Sequence, residues 1–358
     1  MSDLQIGLLV IGAVIVAGVY LFNGWQERQF RHRAEKAFAR EHSDVLLQEA
    51  GKPHESPAQR VEPRLRGEAP ATAPPAHPPV TAPSAVLVDP LIDYVVEVDI
   101  KSPSSGANLH RELLTLAAAW GKPVLVAGYD PRGGEWQAAG IGGDAGFPRL
   151  RFALQMSNRA GCVEQGQLTA FRDAVFKWTQ RNQGDAKCLD IAEAHAMAAQ
   201  LDRFCADVDI AIGINVVTAD GNPFSGTKIR ALAEAAGLKL EPDGVFYSRG
   251  ERGDTRFTLD NHEPMPFVPE QMKTLSTRGI TFLLDVPRVD GALRAFDAML
   301  EMAGNFASTL DGTVVDDNRA ALSDEAIAKI RGQLENILAK MEAGQIAAGG
   351  TRALRLFS

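Results

Sequence analysis

The stretch "GNPFSGTKIRALAEAAG", Gly221–Gly237, follows the apolar run "VDIAIGINVV" and sets a glycine loop between a strand-like and a helix-like segment. Phosphate-binding loops occupy such a place, but they need lysine directly after the second glycine, so that its ammonium and the loop N–H groups meet the same phosphates. Here Thr227 intervenes between Gly226 and Lys228. Asp285, closing the apolar run "ITFLLD", supplies a carboxylate of the kind that holds magnesium beside such a loop. Together the two features keep a nucleotide-binding enzyme as an alternative for the rest of the chain to test. "GIGGDAG" (140–146) lacks the following helix that would aim an N-terminus at a phosphate. The seven histidines share no ligand spacing, so no metal site is assigned. Cys162, Cys188 and Cys205 have no C-x-x-C spacing and suit buried thiols in a reducing compartment. No Ser/His/Asp or Cys/His set is suggested, and no catalytic or cofactor-binding residue is assigned.

The elements that must position any site begin with a membrane segment. Leu4–Phe22, "LQIGLLVIGAVIVAGVYLF", is 19 residues with one polar side chain, Gln5. At about 1.5 Å per residue it reaches roughly 28 Å, close to the hydrocarbon thickness of a bilayer. Only Asp3 precedes it and bulky residues follow, so it reads as an uncleaved transmembrane helix rather than a signal peptide. Arg28, Arg31, Arg33, Lys36 and Arg40 in the juxtamembrane segment 23–50 put the C-terminal body in the cytoplasm and the N-terminus in the periplasm. Residues 51–85 hold nine of the 20 prolines and read as an extended linker reaching on the order of 100 Å. Residues 1–85 carry nine basic and nine acidic residues, so the net charge of −8 lies beyond them and argues against nucleic acid as a partner.

Past residue 86 the order β-α-β-β-β-α occurs twice. "DYVVEVDI" (93–100), a helix at 108–121, "VLVAGYD" (124–130), "EWQAA" (135–139) and "RLRFALQM" (149–156) form one series. "VDIAIGINVV" (208–217), a helix at 227–240, "GVFYSRG" (244–250), "RFTLDN" (256–261) and "ITFLLDV" (280–286) form the other. Helices follow near Leu168 and Leu293, while the last strand of the first series has no clear place. Short turns require antiparallel neighbours, and amphipathic helices require one face of each sheet. The fold class is therefore α+β: two tandem units, 90–205 and 207–342, each an antiparallel sheet with helices on one face, then a flexible tail at 343–358. Alternation puts Ile280, Phe282, Leu284 and Val286 in the core with Ile210, Ile212, Ile214, Val216, Phe257 and Leu259. Ala211, Gly213, Thr281, Leu283 and His262 fall on the open face, and Phe246 is expected there beside Leu283.

The second unit resembles the C-terminal domain of the ZipA family of membrane-anchored bacterial cell-division proteins, which bind the tubulin-like FtsZ. The resemblance rests on "GVFYSRG", "RFTLDN", "STRGITFLLDVPR" (276–288) and "ALRAFDAMLEMAGNFASTLDGTVVDDNRAALSD" (292–324), where Ser323 and Asp324 cap the helix "EAIAKIRGQLENIL". It implies a non-enzymatic adaptor of the bacterial inner membrane, taking the FtsZ C-terminal peptide on the open face without cofactor, nucleic acid or small-molecule substrate. Carried over position by position, the binding residues are Leu283, Phe246, Ala211, Gly213, Thr281 and His262. The family has one such domain, so residues 90–205 are an added, diverged copy. The family's first strand-to-helix loop has no phosphate role, and "GNPFSGTK" falls there. The alternative is a membrane-tethered scaffold or nucleotide-binding protein not acting on FtsZ.

Overall fold

The computed structural model describes residues 88–139, 146–316 and 319–358. The expected transmembrane helix 4–22, juxtamembrane segment 23–50 and linker 51–85 lie outside the described residues, as does most of "GIGGDAG". Among the described residues no helix is long and apolar enough to cross a membrane. All of them belong to one compact unit, Ala71–Ser358.

Alternating apolar residues build the first sheet. It comprises β1 (Asp93–Ser104), β2 (Val124–Asp130), β3 (Glu135–Ala138), β4 (Phe147–Gln155) and β5 (Asp185–Cys188) in the order β3-β2-β4-β1-β5. All neighbours are antiparallel. Pairings such as Phe152 with Val96 and Leu154 with Tyr94 align one apolar face, against which α1 (Ala107–Trp120) and α2 (Gln165–Arg181) pack. The Phe152 and Trp178 rings meet edge to face at 5.5 Å. The last strand, which the sequence left unplaced, is β5, the edge partner of β1. Helix α3 (Ile191–Val208) then leads into the second sheet, so the strand expected from residue 208 starts only at Ala211.

The second sheet comprises β6 (Ala211–Thr218), β7 (Lys239–Leu240), β8 (Phe246–Arg249), β9 (Thr255–Asn261), β10 (Gly279–Asp285) and β11 (Gly312–Val315). Its order is β7-β8-β9-β10-β6-β11. Helices α4 (Gly226–Ala235), α5 (Ala292–Leu310) and α6 (Asp324–Ala343) join it. Its core pairs Ile280, Phe282 and Leu284 with Ile214, Val216, Phe257 and Leu259, and Phe306 of α5 meets Phe282 at 5.3 Å and 90°. Ser323 caps α6, its hydroxyl accepting the Ala326 N–H at 3.2 Å.

The two sheets have one core order: β2-β4-β1-β5 in the first and β9-β10-β6-β11 in the second, and of these four strands the third in chain order, β4 or β10, is inserted between the first two. In space "VLVAGYD" therefore corresponds to "RFTLDN", not to "GVFYSRG" as chain order suggested. The extra strand follows its neighbour in the first sheet (β3 after β2) and precedes it in the second (β8 before β9).

The tail is a correction to the expectation of flexibility. Residues Thr351–Leu356 form a helix, α7, and Ala353, Leu356 and Phe357 are buried in the core of the first sheet. Their i, i+3, i+4 spacing is a helical stripe that a reading by alternation misses. Arg355 of α7 pairs with Asp93 at the start of β1, the two side chains 11% and 0% exposed, and Arg352 pairs with Asp89. Burial pushes the Asp93 carboxyl upward, against the pull of the Arg355 guanidinium. Helix α6 is common to both cores, with Leu334 buried in the second and Met341 in the first. Arg159, in the 157–162 hairpin, clasps Asp209 and Asp285 at 2.7 Å each and ties that hairpin to the end of β10.

Removing one member of a buried ion pair strands the other charge. Asp93→Ala is therefore expected to lower the unfolding free energy by about 3–5 kcal/mol, and the exposed Leu354→Ala by less than about 0.5 kcal/mol. Urea denaturation followed by tryptophan fluorescence checks this; equal midpoints for the two variants would show that the Arg355–Asp93 pair contributes nothing to stability.

Candidate peptide-docking face

The loop that opened the sequence reading is occupied by structural duties. Asp220 accepts the Asn222 N–H at 3.0 Å, Phe224 is buried, and Phe224–Ser225 pairs with Ser276–Thr277. At the start of α4 the Gly226 N–H donates to the Leu275 carbonyl at 2.9 Å. A Cβ on Gly226 would lie 2.5 Å from the Met272 carbonyl oxygen, so the glycine serves close backbone packing. Lys228 points to solvent, and Asp285 is committed to Arg159. A phosphate would find the leading amide of α4 taken, Lys228 turned to solvent and Asp285 already paired with Arg159.

The face of the second sheet away from its helices follows from register. Thr258 pairs with Leu283 and Leu283 with Gly213; Asp260 pairs with Thr281 and Thr281 with Asn215; Asp285 pairs with Ala211. Ala211, Gly213, Thr281 and Leu283 thus share one face, as their spacing requires. Leu283, on the central strand β10, is 42% exposed. His262, just beyond β9, is exposed with Nδ1 3.1 Å from the Thr281 hydroxyl, which itself donates to Asn215 Oδ1 at 2.6 Å. A polar chain therefore crosses the sheet beside the apolar centre.

Phe246 is not on this face. It pairs with Leu259, which pairs with Phe282, so it shares the core phase; it is fully buried, its ring 5.4 Å from that of Phe267. The cause is the turn before it. Gly244, at φ +82°, closes a turn onto Glu241 that delays the strand until Phe246. A one-residue change of register reverses every side chain. The aromatic residue in the phase of the open face is Tyr247, paired with Thr258 and only 9% exposed beneath Asp243 and Arg249. Its hydroxyl donates to Asp243 at 2.6 Å, and the Arg249 guanidinium lies 4.6 Å above its ring. The adjacent "FY" dipeptide held both possibilities, and only the turn decides between them. Burial pushes the Tyr247 phenol up, Asp243 adding to the effect.

One end of the face is hollow. A cavity of about 270 Å³ lies between the Asp243 turn, Asp260, His262 and the loop carrying Glu263 and Met265. Met265 is 57% exposed, and the Asn261 amide holds its carbonyl at 2.7 Å. Apart from His262, these residues were not among the sequence candidates, because the 262–266 loop has no periodicity to place it. The face thus combines an exposed leucine on a central strand, a polar row beside it and a concave end.

Comparison with known proteins points to this half of the chain. Residues 210–333 match the family model described as ZipA, C-terminal FtsZ-binding domain. A cell division protein ZipA of Marinobacter nauticus is 37% identical over 123 residues, 33% of this chain and 36% of that protein. Its counterpart in Xanthomonas axonopodis pv. citri is 30% identical over 132 residues, 36% and 54% of the two chains. That of Shewanella sp. strain W3-18-1 is 24% identical over 347 residues, 89% of this chain and 94% of that protein. The stronger matches thus span only about a third to a half of the curated relatives.

Opposite orientations of Phe246 and Leu283 make opposite demands. Phe246→Ala is expected to cost about 3–5 kcal/mol of stability through the cavity it leaves, and Leu283→Ala less than about 0.5 kcal/mol. Thermal unfolding of the two variants reads the difference directly. A large loss at Leu283 would mean that this face is already covered.

Proposed function

We propose that this chain, whose residues 210–333 are of the ZipA C-terminal type, is a membrane-anchored division adaptor that binds the C-terminal peptide of FtsZ and holds its filaments at the cytoplasmic membrane. The observation that carries the reading is Leu283, exposed at the centre of a sheet face that the helices leave uncovered. A large apolar side chain in that place gains about 1.5–3 kcal/mol when a partner covers it. Ala211, Gly213, Thr281 and His262 frame the site, and Tyr247 takes the aromatic place assigned to Phe246 from the sequence. Their small and polar character makes the groove shallow, which suits a weak peptide contact strengthened by many copies along a filament. The adaptor makes and breaks no covalent bond.

The rest of the organisation follows the same reading. Residues 4–22 anchor the chain in the inner membrane with the N-terminus outside, the basic residues after it keep the body in the cytoplasm, and residues 51–85 are the reach of the tether. Residues 90–205 and 207–342 are two copies of one ancestral unit; the common core order of their sheets supports this. The first copy carries a different centre on the corresponding face: Arg149 and Arg151, paired with Asp99 and Glu97, lie against the rings of Tyr129 and Trp136.

Two measurements test the proposal. Leu283→Glu in the full chain should weaken binding of FtsZ filaments by about tenfold to a hundredfold, as expected for the loss of one buried apolar contact, with circular dichroism showing an unchanged fold. Affinity equal to wild type would place the site elsewhere. Protease added to intact spheroplasts should leave the body uncut, and its digestion from outside would reverse the topology.

A further inference from the structure

We propose that the first sheet holds part of the chain's own proline-rich linker: residues 71–85 dock in polyproline II form on a platform built from Tyr129, Trp136, Arg149 and Arg151. The inference is independent of the peptide site on the second sheet. Tyr129 of β2 and Trp136 of β3 are direct cross-strand partners, with ring centroids 5.5 Å apart. Arg151 pairs across the strands with Ala127 and Glu97, and Arg149 with Asp99, so these side chains point away from the core phase of Leu150 and Phe152. The Arg151 guanidinium lies 4.0 Å from the Trp136 ring centroid, and that of Arg149 lies 5.1 Å and 5.6 Å from those of Tyr129 and Trp136. Contact between β3 and β4 passes over β2, where Ala127 is only 1% exposed. The large side chains therefore lie across the sheet and turn planar surfaces outward, and both rings stay partly open to solvent.

Such a platform suits proline. Proline rings pack flat on aromatic planes, and a polyproline II segment arrives already extended, with little entropy to lose. The charges also select the occupant. Arg149 reaches Asp99 at 3.2 Å and Arg151 reaches Glu97 at 2.8 Å, so both cations are compensated within the sheet. Residues 71–85, "ATAPPAHPPVTAPSA", hold five prolines and no lysine, arginine, aspartate or glutamate. A stacked single strand of nucleic acid is the poorer occupant, because Asp130 and Glu135, the next cross-strand pair, would repel its phosphates.

Connectivity puts the segment within reach. The linker joins the body at Asp89, which is bonded to Arg352 of α7. Arg355 of the same helix bonds Gln155 and Asp93, both in the phase of the platform, so the chain enters at one end of the same face. Asp93 to Asp99, opposite Arg149, is about 20 Å along β1 at roughly 3.3 Å per residue. Pro79 lies ten residues before Asp89, a polyproline II reach of about 31 Å. Pro75 and Pro78, one turn of that helix apart, share an edge. Docking leaves residues 51–70 as the free tether, about 60 Å of reach instead of roughly 100 Å.

The test uses the full chain in lipid nanodiscs, with a benzophenone side chain installed at Val80, and maps its photo-cross-links by mass spectrometry. The chain is otherwise wild type, Trp136→Ala, or Pro74→Ala/Pro75→Ala/Pro78→Ala/Pro79→Ala, with circular dichroism on each. Cross-links are expected to concentrate on residues 124–138 and 149–151, and to fall about tenfold in Trp136→Ala, the scale of one lost apolar contact. The proline variant, which leaves the platform intact, should lose them equally. Mixing isotope-labelled and unlabelled chains shows whose linker is held, and links within one chain are expected. Three results would each overturn the proposal. Links between chains would make the occupant a second copy. Links spread over the whole body, or unchanged in either variant, would remove the site. Loss of the links on adding an oligothymidylate that binds wild type but not Trp136→Ala would give the face to nucleic acid.

Discussion

The helices around the second sheet take only one of its faces, and most of what that half of the molecule presents to solvent depends on the asymmetry. The strands alternate, so once Phe282 and Leu284 of β10 are committed to α5, Thr281, Leu283 and Asp285 must point away from it. Antiparallel pairing carries the decision across the sheet, fixing Gly213 and Asn215 on one side and Thr258 and Asp260 on the other. The outward residues then have three fates. Asp285 is used internally by Arg159, Thr281 and Asn215 satisfy each other, and Leu283 is left without cover. That remainder, and not any residue set capable of bond chemistry, gives the face its character.

The same alternation explains how much could be read from the sequence. Long strands with several apolar residues in phase, such as "RLRFALQM" and "ITFLLDV", declare their buried face, and Leu150, Phe152, Leu154, Ile280, Phe282 and Leu284 are all fully buried. Short strands do not. Four residues, Phe246–Arg249, hold too few alternations to fix their own phase, and the phase is instead set by the Gly244 turn and a register shift at Ser248 and Arg249. Turn geometry at positive φ is a property of the folded chain, and the letters "DGVFY" allow either phase. The swapped order of the extra strands was hidden for a related reason: chain order says which hairpins form, while position within the sheet depends on which strand follows the helix directly to the centre.

Long-range charge pairs were wholly invisible. Arg355 finds Asp93 across 262 residues, and Arg159 finds Asp285 across 126. No local pattern marks such partners, because their value comes from burial and geometry that the fold supplies. They do not drive folding in the way the apolar strands do; they select one arrangement of elements that apolar packing alone would leave freer. The shared helix α6 works in the same sense through its apolar side, since Leu334 and Met341 must fit two cores at once.

These contacts bear on how an adaptor would carry load. Under the tether reading, pull from the membrane enters the folded body where the linker ends, immediately before Asp89 and β1. That entry point is not a frayed end. Asp89 and Asp93 are pinned by Arg352 and Arg355, the Met156 N–H donates to the Ile92 carbonyl, and β1 lies inside the sheet between β4 and β5. From there the C-terminal segment leads to the second core: α7 follows α6, whose Leu334 is buried among the core residues of the second sheet. Under that reading the first sheet would be a stiff point of attachment, closed by residues 351–357. If the tether reading holds, a free tail would leave the first strand of the body to bear such a pull alone, whereas Arg352 and Arg355 pin it through Asp89 and Asp93, a role that no local pattern in the last 16 residues announces.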